Sequence, residues 1–109
     1  MMYDSELAHR VRELLSGQRF DEKAMFGGLA FLVGGHMAVC VSSKGGLMVR
    51  VPPAQTAALL DRPHVAPMVM AGRQTRGWLR VADEGIRTKR QLQSWLQRGV
   101  DYARTLPPK

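Results

Sequence analysis

A chain of 109 residues, 45% apolar and 23% charged, has the size and composition of one ordinary globular domain, spanning residues 1–109, and excludes a disordered or fibrous polymer. With 16 Lys and Arg against 9 Asp and Glu, the net charge of +7 suits a polyanionic partner as well as a merely solvated surface. The single cysteine, Cys40, excludes an internal disulfide, and no apolar run reaches the ~18 residues of a membrane span, so a cytoplasmic protein with no membrane partner is expected.

Residues Met1 to Glu6 contain no basic segment followed by an apolar one, so no secretory leader is expected. From Asp4 to Ser16 the spacing predicts an amphipathic helix. Leu7, Val11, Leu14 and Leu15 fall on one stripe, Asp4 suits the N-cap, and Gly17 suits the residue that stops the helix.

The period then changes. Met25 to Val33 is apolar and rich in strand formers, Gly34-Gly35-His36 interrupts it, and Met37 to Val41 resumes it. This predicts a β-hairpin with a Gly-Gly turn, since glycine accepts the positive φ such turns require. Ser42 to Gly46 predicts a second turn, and Leu47 to Val51 a third strand of an antiparallel meander. Pro52-Pro53 ends that strand and opens a short helix carrying Ala57, Ala58, Leu59 and Leu60. Met68 to Met70 and Trp78 to Val81 read as a second strand pair, with residues 71–77 as their connection. The last helix runs from about Lys89 to Arg104. Thr88 and Gln91 form a capping-box pattern, and Leu92, Trp95, Leu96, Gly99, Val100 and Ala103 form the buried stripe.

The order is a helix, three or four strands, a helix, two strands and a helix. It predicts an α+β domain with helices packed on an antiparallel sheet in two layers. One pattern conflicts with a sheet wetted on its second face. Leu29, Phe31 and Val33 alternate with Ala30 and Leu32, and Val39 and Val41 alternate with Ala38 and Cys40, so both faces are apolar. Either the helices divide between the two faces, or a partner subunit covers the second one, which makes a homodimer an expectation.

Met25-Phe26-Gly27-Gly28, the apolar hairpin after it, Gly45 to Val51, and Gly77-Trp78 before the final helix together resemble the N-terminal domain of the TfoX/Sxy competence regulators. The resemblance covers nearly the whole chain. It implies a secretion-chaperone-like two-layer fold and a link to the regulation of bacterial DNA-uptake genes. Full-length members of that family carry a second, helical domain, and this chain reads as a stand-alone copy of the first. The family supplies no catalytic residues to carry over.

Two groups of residues are candidate contacts. Met25, Phe26, Gly27 and Gly28 form a partner or ligand contact if the glycines admit a neighbouring backbone, and a strand entry or bulge if they serve the fold. Arg73, Arg76, Arg80, Arg87, Lys89 and Arg90 lie in a short basic stretch that would contact phosphates if they converge on one edge. Trp78 and Trp95 sit in packing patterns, and no helix-turn-helix, zinc-finger or RNA-binding signature accompanies them.

Catalytic and cofactor chemistry has little to stand on. His9, His36 and His64 are scattered, Cys40 sits in an apolar strand, and no acidic residue interrupts the apolar strands. The glycine pairs match no phosphate-loop spacing. The expectation is a non-enzymatic regulatory domain with no cofactor that binds a protein through its sheet face or a strand edge. The alternative is a sequence-nonspecific nucleic-acid binder using the arginine stretch.

Overall fold

A computed structural model of the chain describes residues 3–25, 27–70 and 72–108. It opens with α1 (Ser5–Leu14), where the Asp4 carboxylate accepts hydrogen bonds from the Glu6 and Leu7 amides at 3.0 and 3.1 Å. Those are donors that no earlier turn of the helix can satisfy. The strands β1 (Asp21–Met25), β2 (Gly28–Val33), β3 (His36–Val41) and β4 (Leu47–Arg50) follow. A 3-10 turn at Pro53–Gln55 leads into α2 (Thr56–Leu60), then come β5 (Val65–Met70) and β6 (Arg73–Val81). A second 3-10 turn, Asp83–Gly85, precedes α3 (Lys89–Thr105), whose start is closed by the Thr88–Gln91 capping box.

The described strands form one sheet in the order β1-β2-β3-β4-β6-β5, with every neighbouring pair antiparallel. The architecture is the α+β arrangement expected from the sequence, and four strands precede α2. Two stretches differ from the sequence reading. β1 begins at Asp21, ahead of the apolar run, and is an edge strand with mostly exposed residues, so it shows no apolar alternation. Of the stretch 71–77, expected as a connection, Ala71 lies outside the described residues and residues 73–77 are strand, because β6 starts at Arg73. Its first residues project on a hairpin end, where Arg73, Gln74 and Arg76 remain exposed and hydrophilic.

The Gly34-Gly35 turn is as expected. Both residues have positive φ, 61° and 84°, which lets β2 and β3 reverse within two residues. His36 Nε2 lies 2.6 Å from the Pro107 carbonyl oxygen, so the tail after α3 returns to this turn.

All three helices feed one core. Leu7, Val11 and Leu15, Leu59, and Leu92, Leu96 and Val100 pack with Phe31, Val39, Val41, Val49, Leu79 and Val81. Each fully buried Leu or Val side chain contributes roughly 1.5–3 kcal/mol relative to exposure. The helices therefore do not divide between the sheet faces, because the inward residues of β2, β3, β4 and β6 all meet the same helical layer.

Candidate functional site

The opposite face of the sheet carries no helix among the described residues. Strand alternation sends Ala30, Cys40 and Met48 to it, and these three form a second, separate buried cluster. Met25, Leu32, Met37 and Met68 pack against them, each partly buried. Ala30 and Cys40 are therefore inaccessible because longer side chains of the same face lie over them. Burial pushes the Cys40 thiol up to about 11.

The registers line this face up across the sheet. Lys23 pairs with Ala30, Ala30 with Cys40, Cys40 with Met48, Met48 with Arg80, and Arg80 with Ala66. The row crosses all six strands, with a small apolar centre and a cation on either side of it. Arg50, one alternation along β4, pairs with Trp78 and places its guanidinium 5.4 Å from the Trp78 ring centroid and 5.9 Å from that of Tyr102. Arg80 Nη2 donates to the Gly45 carbonyl at 3.5 Å. Among the described residues the ion pairs are His9–Glu13 and Arg12–Glu22, so no carboxylate is paired with Lys23, Arg50 or Arg80. Asp21 is the acidic residue that the register brings to this face, opposite Leu32 at the outer edge.

The first candidate motif is the tip of the β1–β2 hairpin. Met25 pairs with Gly28, and its side chain joins the second cluster. Gly27 has φ 76°, the left-handed conformation a tight turn needs. Gly28 is pressed against β3, where an added Cβ would meet the Val41 carbonyl oxygen and lie 3.3 Å from Cys40 Sγ. Phe26 lies outside the described residues. Gly27 and Gly28 thus have structural work to do, and Met25 contributes to the apolar face.

The basic stretch divides. Arg73, Arg76 and Arg80 lie on β6, with Arg73 at its hairpin end and Arg76 donating to the Pro53 carbonyl at 3.4 Å. Arg87, Lys89 and Arg90 lie beyond the second 3-10 turn. Arg10 of α1 donates to the Ile86 and Arg87 carbonyls there, and Arg87 borders a cleft shared with Asp4, Glu6 and Asp83. Acidic groups therefore interleave with that second set.

Another cleft, of about 250 Å³, is lined by Lys44, His64 and Arg80 together with Asp83 and Glu84. The Asp83 carboxylate already accepts the Gly46 amide at 3.1 Å, and His64 holds φ 65°. Among the described residues no three His, Cys, Asp or Glu side chains are grouped to hold a metal ion.

Sequence reasoning missed Lys23 and Met48 as members of one surface with Arg80. Lys23 lies on β1, whose exposed residues carry no apolar alternation, and Arg80 joins Met48 because β4 pairs with β6 although β5 intervenes in sequence, a choice that no local pattern encodes.

A family model described as the TfoX N-terminal domain matches residues 13–103. No curated protein and no solved structure matches the chain.

Proposed function

The chain belongs to the TfoX N-terminal domain family, and on that premise we propose that it is a non-enzymatic regulatory domain that binds a protein through the helix-free face of its sheet. The observation that carries this reading is the second apolar cluster, Ala30, Cys40 and Met48 beneath Met25, Leu32, Met37 and Met68, with no helical layer over it. Contiguous apolar surface rimmed by polar groups marks interaction sites. Methionine suits such a surface because its unbranched side chain adapts to different partners.

The face is favoured over the sheet edges. On β5 the edge contains Pro67, which has no amide hydrogen to donate to an added strand. On β1 the edge begins Asp21-Glu22-Lys23, and such charged edges resist strand addition. No described helix is long and apolar enough to cross a membrane, and we place the protein's work in the cytoplasm.

Site-specific photo-crosslinking in cells tests the proposal. A benzophenone side chain at Met68 or Met37 is expected to capture one defined protein that the same group at Gln93, exposed on α3, does not. Capture from Gln93 alone, or from none of the three, would overturn it.

The competing nucleic-acid reading draws support from the charge of +7. Duplex DNA anisotropy across a salt series decides it, since each neutralised phosphate adds roughly 0.9 to the slope of log affinity against log salt.

A further inference from the structure

We infer that the helix-free face receives an amphipathic helix of three to four turns, apolar along one stripe and acidic on both flanks. This rests on the protein-binding reading of the face and specifies its partner.

The dimensions come from the cross-strand row. Lys23 and Arg80 are separated by four strand spacings, Lys23–Ala30–Cys40–Met48–Arg80. At ~4.8 Å per spacing their backbones stand about 19 Å apart. A helix with its side chains is about 10–12 Å wide. Laid along β2, β3 and β4, it would cover the apolar centre and leave room on each side for an ion pair between long side chains. The strands run about 20 Å for six residues, which a helix spans in roughly 13 residues.

Side-chain chemistry fits the same occupant. The floor of the row is short, Ala30 and Cys40, while the side chains over it are mostly unbranched. Methionines can swing aside and repack around a ridge of apolar side chains without strain to the backbone. One flank then meets Lys23, with Asp21 two residues away at the start of the same edge strand, and the other meets Arg80; neither cation is paired with a carboxylate among the described residues. Glutamate or aspartate on the incoming flanks completes those pairs, and lysine there would oppose them.

A second copy of the chain fits less well. A two-fold pairing of this face sets its cations against the same cations, and like charges across an interface cost affinity. A nucleic-acid strand would satisfy the cations and leave the apolar floor unfilled.

The test uses the whole chain and two fluorescein-labelled 14-residue peptides. Both carry leucine along one helical stripe, one with glutamate flanks and the other with lysine flanks. By anisotropy at low salt, about 50 mM, the glutamate peptide is expected to bind at least tenfold more tightly, and the gap should narrow near 0.5 M as screening takes hold. The double variant Lys23→Glu and Arg80→Glu should reverse the preference. Lys23 is exposed on an edge strand, so Lys23→Glu leaves folding intact and should weaken the glutamate peptide at least threefold.

Equal binding of both peptides, binding of neither, or an unchanged preference after both charge reversals overturns the inference. If the peptides fail while Met68 still crosslinks to one protein, the helix class is wrong and the interaction reading stands. If both fail, both fall. Self-crosslinking from Met68 with a dimeric mass in solution assigns the face to a second copy, and likewise overturns the inference.

Discussion

Gly99 of α3 rests directly on the backbone of β3: a β-carbon there would stand 2.5 Å from the Ala38 carbonyl oxygen and 3.0 Å from Val39 Cγ1. Glycine inside a helix costs ~1 kcal/mol relative to alanine, so by propensity alone Gly99→Ala would stabilise α3. Contact with a fixed carbonyl should reverse that. The variant is expected to lose about 1–3 kcal/mol, as overpacked cores do, seen as a lower urea midpoint with an unchanged slope. A gain in stability would mean that α3 can ride outward from the sheet.

The Arg12 guanidinium donates to both carboxylate oxygens of Glu22, at 2.7 and 2.8 Å, and ties α1 to the outer strand. That hydrogen bonding holds the Glu22 carboxyl below its ordinary value. A group whose pKa is depressed by folding contributes fully above its unfolded pKa, and the contribution disappears as pH falls through the folded one. Glu22→Gln should therefore be slightly less stable than the native chain at about pH 7 and indistinguishable from it at about pH 2, in paired denaturant titrations. Salt should shrink the neutral-pH difference, since both partners are partly exposed. A difference that widened on acidification would contradict the assignment.

Cys40 has no solvent exposure, and its thiol is pushed up to about 11. At about pH 8 a free thiol is roughly a quarter ionised, whereas this one is about a thousandth ionised. A disulfide reagent should label the folded chain at least about a hundredfold more slowly than the urea-unfolded chain. Labelling at comparable rates would show that the methionine cover opens readily.

The first turn of α3 holds Lys89 and Arg90 and no acidic residue, which opposes cations to the positive end of the helix. Both side chains are exposed. Lys89→Glu and Arg90→Glu are each expected to raise stability by about 0.3–1 kcal/mol, measured at low salt with the capping box intact. The same variants discriminate on function, since a nucleic-acid contact through this stretch would weaken with each. Destabilisation would mean that these cations have local partners of their own.

The elements that bury a stripe were legible in the sequence. Leu92, Trp95, Leu96, Val100 and Ala103 repeat at helical spacing, and the whole set is buried against the sheet. Asp4 and Thr88 cap the helices they were expected to cap, because capping is a local transaction between a side chain and nearby amides. β1 and the first half of β6 were not legible, since strands exposed along most of their length carry no apolar alternation. The candidate surface was half legible. The apolar second face showed in Ala30, Leu32 and Cys40, but the cations around it are distant in sequence and meet through strand pairing. Conversely, the arginines from Arg73 to Arg90 are close in sequence and divide in space, because the second 3-10 turn carries the chain from β6 to the start of α3.

In β2, β4 and the end of β6, adjacent residues answer to different neighbours. Phe31, Val49 and Leu79 face the helices, while Ala30, Met48 and Arg80 face away from them. The inward set is close-packed, so change there is limited by volume. The outward set combines the small, buried Ala30 with the flexible Met48 and the charged Arg80, and the longer side chains of this face can be exchanged with little effect on the helical layer. Descendants of such a chain can therefore acquire new partners through substitutions at every second position of a strand, while the interleaved positions preserve the scaffold.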